Sequence, residues 1–162
     1  MLYSEEHSEF MSITDLIQEN LILSEMRAAT AAAALKEFSE FLAKRHEGVR
    51  ADELLTALSK REQQGSTALG SGLAIPHGKL ASIGRLIGCL GRSRKGLGFG
   101  SADGKPTHFF MVLIAPANSP GEHLKALARI SRIFQSEDLR ERLLEAKTAG
   151  DMLSVLAAED AK

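Results

Sequence analysis

The spacing of apolar residues along this chain changes character twice. Between Ala28 and Lys44 they fall at Ala31, Ala34, Leu35, Phe38, Phe41 and Leu42, the rhythm of a helix with one buried stripe, and Lys36, Glu37, Glu40 and Lys44 lie largely off it. Gly48 ends that pattern, and Asp52 is placed to cap a second helix that turns Leu54, Leu55 and Leu58 inward. Upstream, Ser12-x-x-Asp15 has the form of a capping box at the start of a short turn with Leu16 and Ile17. Beyond residue 64 the helical rhythm stops. Residues 73–76 are short and apolar, "RLIGCLGR" reads as a strand weakened by its glycines, and "THFFMVLIAP" (107–116) predicts a strand buried on both faces. Between these two strands, "GLGFGSADGKP" is turn-rich around Asp103-Gly104.

The helical rhythm returns after Pro120-Gly121. Leu124, Leu127, Ile130 and Phe134 predict one helix, Leu139, Leu143 and Leu144 a second, and Met152, Leu153 and Leu156 a third. Helices at both ends with strands between them predict an α/β sandwich, a single sheet with helices packed against it. The order of elements predicts a flexible extension at residues 1–11 and one domain over residues 12–158.

Composition narrows the function classes. A chain of 162 residues, 44% hydrophobic and 25% charged, suits a globular domain. A net charge of −1 argues against nucleic acid as the main ligand. The single Cys89 permits no internal disulfide and fits a reducing compartment. The acidic start "MLYSEEHSEFM" lacks the order of a secretion signal, and no apolar run approaches the ~20 residues of a membrane span, so the expected location is the cytoplasm.

Candidate chemistry concentrates in "GSTALGSGLAIPHGKL" (65–80). Gly78-Lys79 is followed by leucine where a phosphate-binding P-loop needs Ser or Thr. Gly70-Ser71-Gly72 lacks the spacing of a nucleophile elbow, and "GLGFG" lacks the last glycine of a dinucleotide loop. Anion chemistry remains open. Gly65, Gly70, Gly72 and Gly78 allow close backbone approach, while Ser66, Thr67 and Ser71 supply hydroxyl donors. Pro76 restricts the chain just before His77, a side chain that is partly neutral and nucleophilic near pH 7.

"REQQGSTALGSGLAIPHGKL" (61–80), followed in order by "ADGKPTHFFMVLIAP" and "EHLKALARISRIF", resembles the fructose/mannitol/nitrogen-type enzyme IIA domains of the bacterial phosphoenolpyruvate-dependent phosphotransferase system. The resemblance spans roughly residues 12–157. It implies a mixed β-sheet flanked by helices and a phosphocarrier without cofactor or metal. It further implies that His77 accepts a phosphoryl group from HPr or its nitrogen-branch relative, that Arg61 lies near the phosphate, and that His123 is the second histidine of the site. The small residues from Gly65 to Gly78 would surround the phosphoryl group. A IIB domain or a regulatory target would be the downstream partner, with no direct insertion in a membrane.

The chain departs from the family pattern at Ser71, where asparagine is common, and at Ala68-Leu69. "ASIGRL" (81–86) carries no acidic residue, and with Arg92, Arg94 and Lys95 it predicts a basic edge. Three readings follow: a stand-alone nitrogen-regulatory phosphocarrier, the IIA component of a sugar transporter, or an interaction protein that no longer transfers phosphate. A metal hydrolase using His77, His108 and His123 lacks a close-spaced ligand pair. For the rest, His108 and Cys89 are expected to be structural, His7 and His46 exposed, and "GRSRKG" (91–96) a solvated hairpin.

Overall fold

The computed structural model describes residues 12–118 and 122–162, so the expected extension at 1–11, with His7, lies outside the described residues. Ser12 caps α1 (Ile13–Leu16) through the capping box with Asp15, and a 3-10 turn (Glu19–Leu21) leads to β1 (Ile22–Leu23). Two helices follow, α2 (Ala31–Arg45) and α3 (Ala51–Gln63). Next come β2 (Ala68–Gly70), β3 (Leu73–Ala74), β4 (His77–Leu80), β5 (Ile87–Leu97) and β6 (Thr107–Pro116). The chain ends with α4 (Glu122–Ile133), α5 (Glu137–Glu145) and α6 (Ala149–Asp160).

The six strands form one mixed sheet in the order β1-β5-β6-β3-β2, with β4 also paired to β6. β5 and β6 run antiparallel at its centre. β6 alternates strictly: Phe109, Met111 and Leu113 enter a core with α1, α4, α5 and α6, and Phe110, Val112 and Ile114 enter another with α2 and α3. That double burial is why its sequence is almost wholly apolar.

The glycines of β5 are places where helices come close. A Cβ at Gly88 would lie 2.6 Å from Leu16 Cγ, and one at Gly91 would lie 2.2 Å from Phe38 Cζ. The missing side chains let α1 and α2 pack directly on the strand backbone.

Four local expectations are corrected. Arg50, without a side-chain bond, occupies the N-cap of α3, and Asp52 sits in the first turn accepting from the Glu53 amide at 2.8 Å. "GRSRKG" is part of β5, and Arg92 is fully buried in it. The grouped basic edge also fails, because residues 81–86 precede β5 whereas Arg94 and Lys95 lie near its far end, roughly 25 Å along an extended strand. His46 is half-buried, its Nδ1 accepting from the Gly48 amide at 3.1 Å. Cys89 packs with no exposure, and burial pushes its thiol pKa far up, so it behaves as a small apolar residue.

Candidate phosphoryl-acceptor site

β3 and β4 are one extended run interrupted at Pro76. Leu73 and Ala74 pair in parallel with Phe109 and Phe110, and His77–Leu80 resume the pairing from Leu113 to Pro116. Pro76 has no amide hydrogen to give the ladder but still accepts from the Leu113 amide at 3.0 Å. His77 is the first residue after the break. Strand alternation puts Gly78 and Leu80 toward α3, where a Cβ on Gly78 would lie 3.1 Å from Ala57 Cβ, and puts His77 and Lys79 on the opposite face with α4.

Two hydrogen bonds fix the His77 ring. Nδ1 lies 2.8 Å from the Ile75 carbonyl oxygen, which can only accept, so Nδ1 carries the proton and donates. Nε2 is left with its lone pair and accepts from Arg61 Nε–H at 3.2 Å. Arg61 stands on the last turn of α3 and is itself held by donating from Nη1 to the Gly65 carbonyl at 2.9 Å.

His123, near the start of α4, packs against His77 with ring centroids 5.6 Å apart and planes tilted by 35°. Its Nδ1 is buried with no hydrogen-bond partner among the described residues. Burial, then the neighbouring His77, then Lys79 lower its pKa, which favours a neutral ring.

These side chains line a concavity of about 500 Å³ together with Ala57, Lys60, Gln64, Gly78 and Lys79. None of the lining residues is acidic. Three permanent cations, Lys60, Arg61 and Lys79, therefore face one nucleophilic nitrogen, and the arrangement suits an incoming dianion. Lys60, Gln64 and Lys79 were missed as site residues. The signals were present: Ala57, Lys60, Arg61 and Gln64 have the spacing of one helix face, and His77 and Lys79 the spacing of one strand face.

The loop donors behave differently from expectation. Ser66 donates to the Phe99 carbonyl at 2.6 Å, and Thr67 bonds the Glu62 carboxylate through both its amide (2.7 Å) and its hydroxyl (2.8 Å). The Ser71 amide donates to Asp103 Oδ2 at 3.1 Å, within a turn where Gly70, Ser71 and Gly72 all have positive φ. Asp103 is a strong acceptor there. Bonds from the Ser101 hydroxyl and from the Lys105 and Ser71 amides hold its pKa down to about 2. The Ser66 and Thr67 hydroxyls and the Ser71 amide are thus taken by neighbours in the fold, and Gly70, Ser71 and Gly72 do not line the concavity. Of the seven expected phosphate-binding positions, Gly78 lines it and Gly65 touches it through Arg61. His108 does not line the concavity, and its Nδ1 lies 3.0 Å from the Ser93 carbonyl in β5. Among the described residues no group of histidine, cysteine or carboxylate side chains could hold a metal ion.

The family described as "Phosphoenolpyruvate-dependent sugar phosphotransferase system, EIIA 2" matches residues 15–159. The chain belongs to this EIIA family. Its members are phosphocarriers that work through a phosphohistidine.

A nitrogen regulatory protein of Bradyrhizobium diazoefficiens is 36% identical over 91% of this chain and 95% of its own length. A fructose-specific EIIA component of Haloferax volcanii is 36% identical over 65% of this chain and 69% of its own. The fold is similar to that of the nitrogen regulatory protein IIA-Ntr of Neisseria meningitidis, with a TM-score of 0.82 and 30% identity over 89% of this chain and 98% of that one. The mannitol IIA of Escherichia coli, at TM-score 0.71 and 24% identity over 87% and 99% of the two chains, shares the fold. No helix among the described residues of this EIIA domain is long and apolar enough to cross a membrane.

Proposed function

We propose that this EIIA domain carries a phosphoryl group on Nε2 of His77. The observation that carries the reading is the Nδ1–H bond to the Ile75 carbonyl, which leaves Nε2 unprotonated and aimed at the Arg61 guanidinium. The Nε2 lone pair attacks the phosphorus of an HPr-type phosphohistidine, the donor's N–P bond breaks, and the donor nitrogen recovers its electron pair. His77 keeps its Nδ1 proton throughout. The Nε–H that Arg61 gives to Nε2 is released on attack and becomes available to a phosphoryl oxygen, with Lys79 and Lys60 adding charge stabilisation. Gly65 and Gly78 are the loop positions retained near the phosphoryl group.

The physiological role we favour is regulation in the nitrogen branch, in the cytoplasm, with phospho-HPr or its nitrogen-branch homologue as donor. The match to a nitrogen regulatory protein across nearly both full lengths supports this. A second reading, the IIA component of a fructose-type transporter handing its phosphoryl group to a IIB domain, is supported by the Haloferax relative.

The test is intact-mass spectrometry after incubation with phosphoenolpyruvate, enzyme I and HPr, with His77→Ala alongside. The expected result is an acid-labile gain of one phosphoryl group, absent in the variant. A gain that persists in His77→Ala overturns the site. Onward transfer to a IIB domain would favour the transporter reading over the regulatory one.

A further inference from the structure

We infer that this protein has a second anion-binding site, distinct from the His77 concavity, in the cleft between residues 25–29 and the end of β5, and that it takes a small organic phosphate. The cleft arises from a contest over one segment of backbone. β1 pairs in parallel with β5 through Leu23↔Gly91, and a last bond runs from the Met26 amide to the Arg92 carbonyl at 3.1 Å. The next two amides, of Arg27 and Ala28, donate instead to the Glu37 carboxylate on α2, at 3.0 and 2.9 Å. The chain is thereby drawn off the sheet edge, and a cavity of about 510 Å³ opens between it and residues 92–96. That size lies within the range of small-ligand sites, roughly 300–1,000 Å³.

The charges on its walls are one-sided. Arg27, Arg92, Arg94 and Lys95 line it against a single acid, Glu25, which pairs with Arg94 at 3.6 Å. Arg27, Arg94 and Lys95 are the exposed cations that a ligand can reach, and Arg92 adds its charge from beneath them. It is fully buried, and its partners are neutral carbonyls: Ser24 for Nε at 3.1 Å, and Leu143 and Ala146 for Nη1 at 2.6 Å each. Its Nη2 has no partner among the described residues. The carbonyls belonging to the C-terminal end of α5 offset part of the charge, and the one carboxylate near it, Glu25, is paired with Arg94. A buried guanidinium cannot shed its proton, so its charge acts on the adjoining cavity from beneath the wall, and an anion held there offsets it without touching it. Met26, Ala28 and Ala29 give the same cavity an apolar wall, which suits a ligand that carries more than phosphate.

Amide NMR titration of the intact protein with ADP and, separately, with inorganic pyrophosphate tests the site, without divalent cations. The expected result is saturable shifts centred on Ala28, Ala29 and Gly96, tighter for ADP than for pyrophosphate and weakened by added salt. Arg27→Gln with Lys95→Gln, both exposed positions, is expected to weaken ADP about tenfold, and His77→Ala to leave it unchanged. Shifts confined to Gly65 and Gly78, or no saturation at millimolar ADP, overturn the proposal. Equal affinity for ADP and pyrophosphate overturns its organic part. Since His77 is not involved, failure of this site leaves the phosphocarrier reading standing.

Discussion

Replacing Arg61 with glutamine separates a working phosphate ligand from a helix-end cation. Arg61 Nε–H donates to His77 Nε2, the proposed attacking nitrogen, at 3.2 Å, and Nη1 is anchored on the Gly65 carbonyl, so the guanidinium is held against that nitrogen. A charge-assisted hydrogen bond contributes about 1.5–3 kcal/mol. The arginine is only half-buried, so solvent screens part of that, and Lys60 and Lys79 still face the same space in the variant. The loss of transition-state stabilisation should therefore be about 1.4–2.7 kcal/mol, a roughly 10- to 100-fold slower gain of the phosphoryl group.

The assay is rapid quenching after mixing with phospho-HPr, with the phosphorylated fraction read by intact mass. Arg61→Lys is the control. It keeps the charge but has no planar fork, and should fall between the native protein and Arg61→Gln. Melting temperatures show that the variants are folded. A rate for Arg61→Gln within about twofold of native would refute the reasoning and leave Arg61 as a cation that complements the α3 dipole.

Gly91→Ala places a methyl 2.2 Å from Phe38 Cζ in a fully buried contact, and should lower the unfolding free energy by about 1–3 kcal/mol, measured by urea denaturation; no loss would mean α2 can slide off β5. Asp160 joins α6 to α1 and α4, accepting from the Ile13 amide at 2.7 Å and from Arg129 Nε at 2.8 Å, with its side chain only 6% exposed. Asp160→Ala should cost about 3 kcal/mol in the same assay, and unchanged stability would contradict that link. The lowered pKa of His123 means that the unfolded chain binds the proton more readily, so this group's contribution is full above the ordinary value of 6.5 and is lost as pH falls below it toward the folded value. Melting curves at about pH 7.5 and about pH 5.5 should differ less in His123→Gln than in the native protein. An equal slope would remove His123 as the source.

Legibility in the sequence followed how local each cause was. Helical stripes and the doubly buried β6 are written in residue spacing, and the structure places them where the periodicity did, except at Leu124, which the stripe predicted to be inward and which is exposed, and at Phe134, which packs just beyond the end of α4. His77 was readable because glycine and proline around a histidine set a backbone constraint within a few residues. The fates of Ser66, Thr67 and Ser71 were hidden, since their competitors, Phe99, Glu62 and Asp103, come from other elements. Arg92 misled for a related reason. A run such as "GRSRKG" looks solvated until the end of α5, 51 to 54 residues later, supplies carbonyls that let one arginine be buried.

Phosphorylation at Nε2 would cancel most of the site's positive charge. Unmodified, the concavity presents Lys60, Arg61 and Lys79 around two imidazoles, the second kept neutral by burial and by the charge around it. A phosphoryl group adds about −2 and takes the fixed charge from about +3 to about +1. The influence of His77 on His123 then turns from repulsion into attraction, while the burial penalty stays. His123 should therefore bind a proton more readily in the phosphorylated state, and titration of its ring proton resonances in the two states would show the shift upward. A shift downward, or none, would place the phosphoryl group away from His123. An acidic surface that docks on the unmodified cations would be released by the modification, whereas a partner that needs the phosphate would be recruited. On the proposed reading, one covalent event at the strand break after Pro76 would be enough to select between partners without a change in fold.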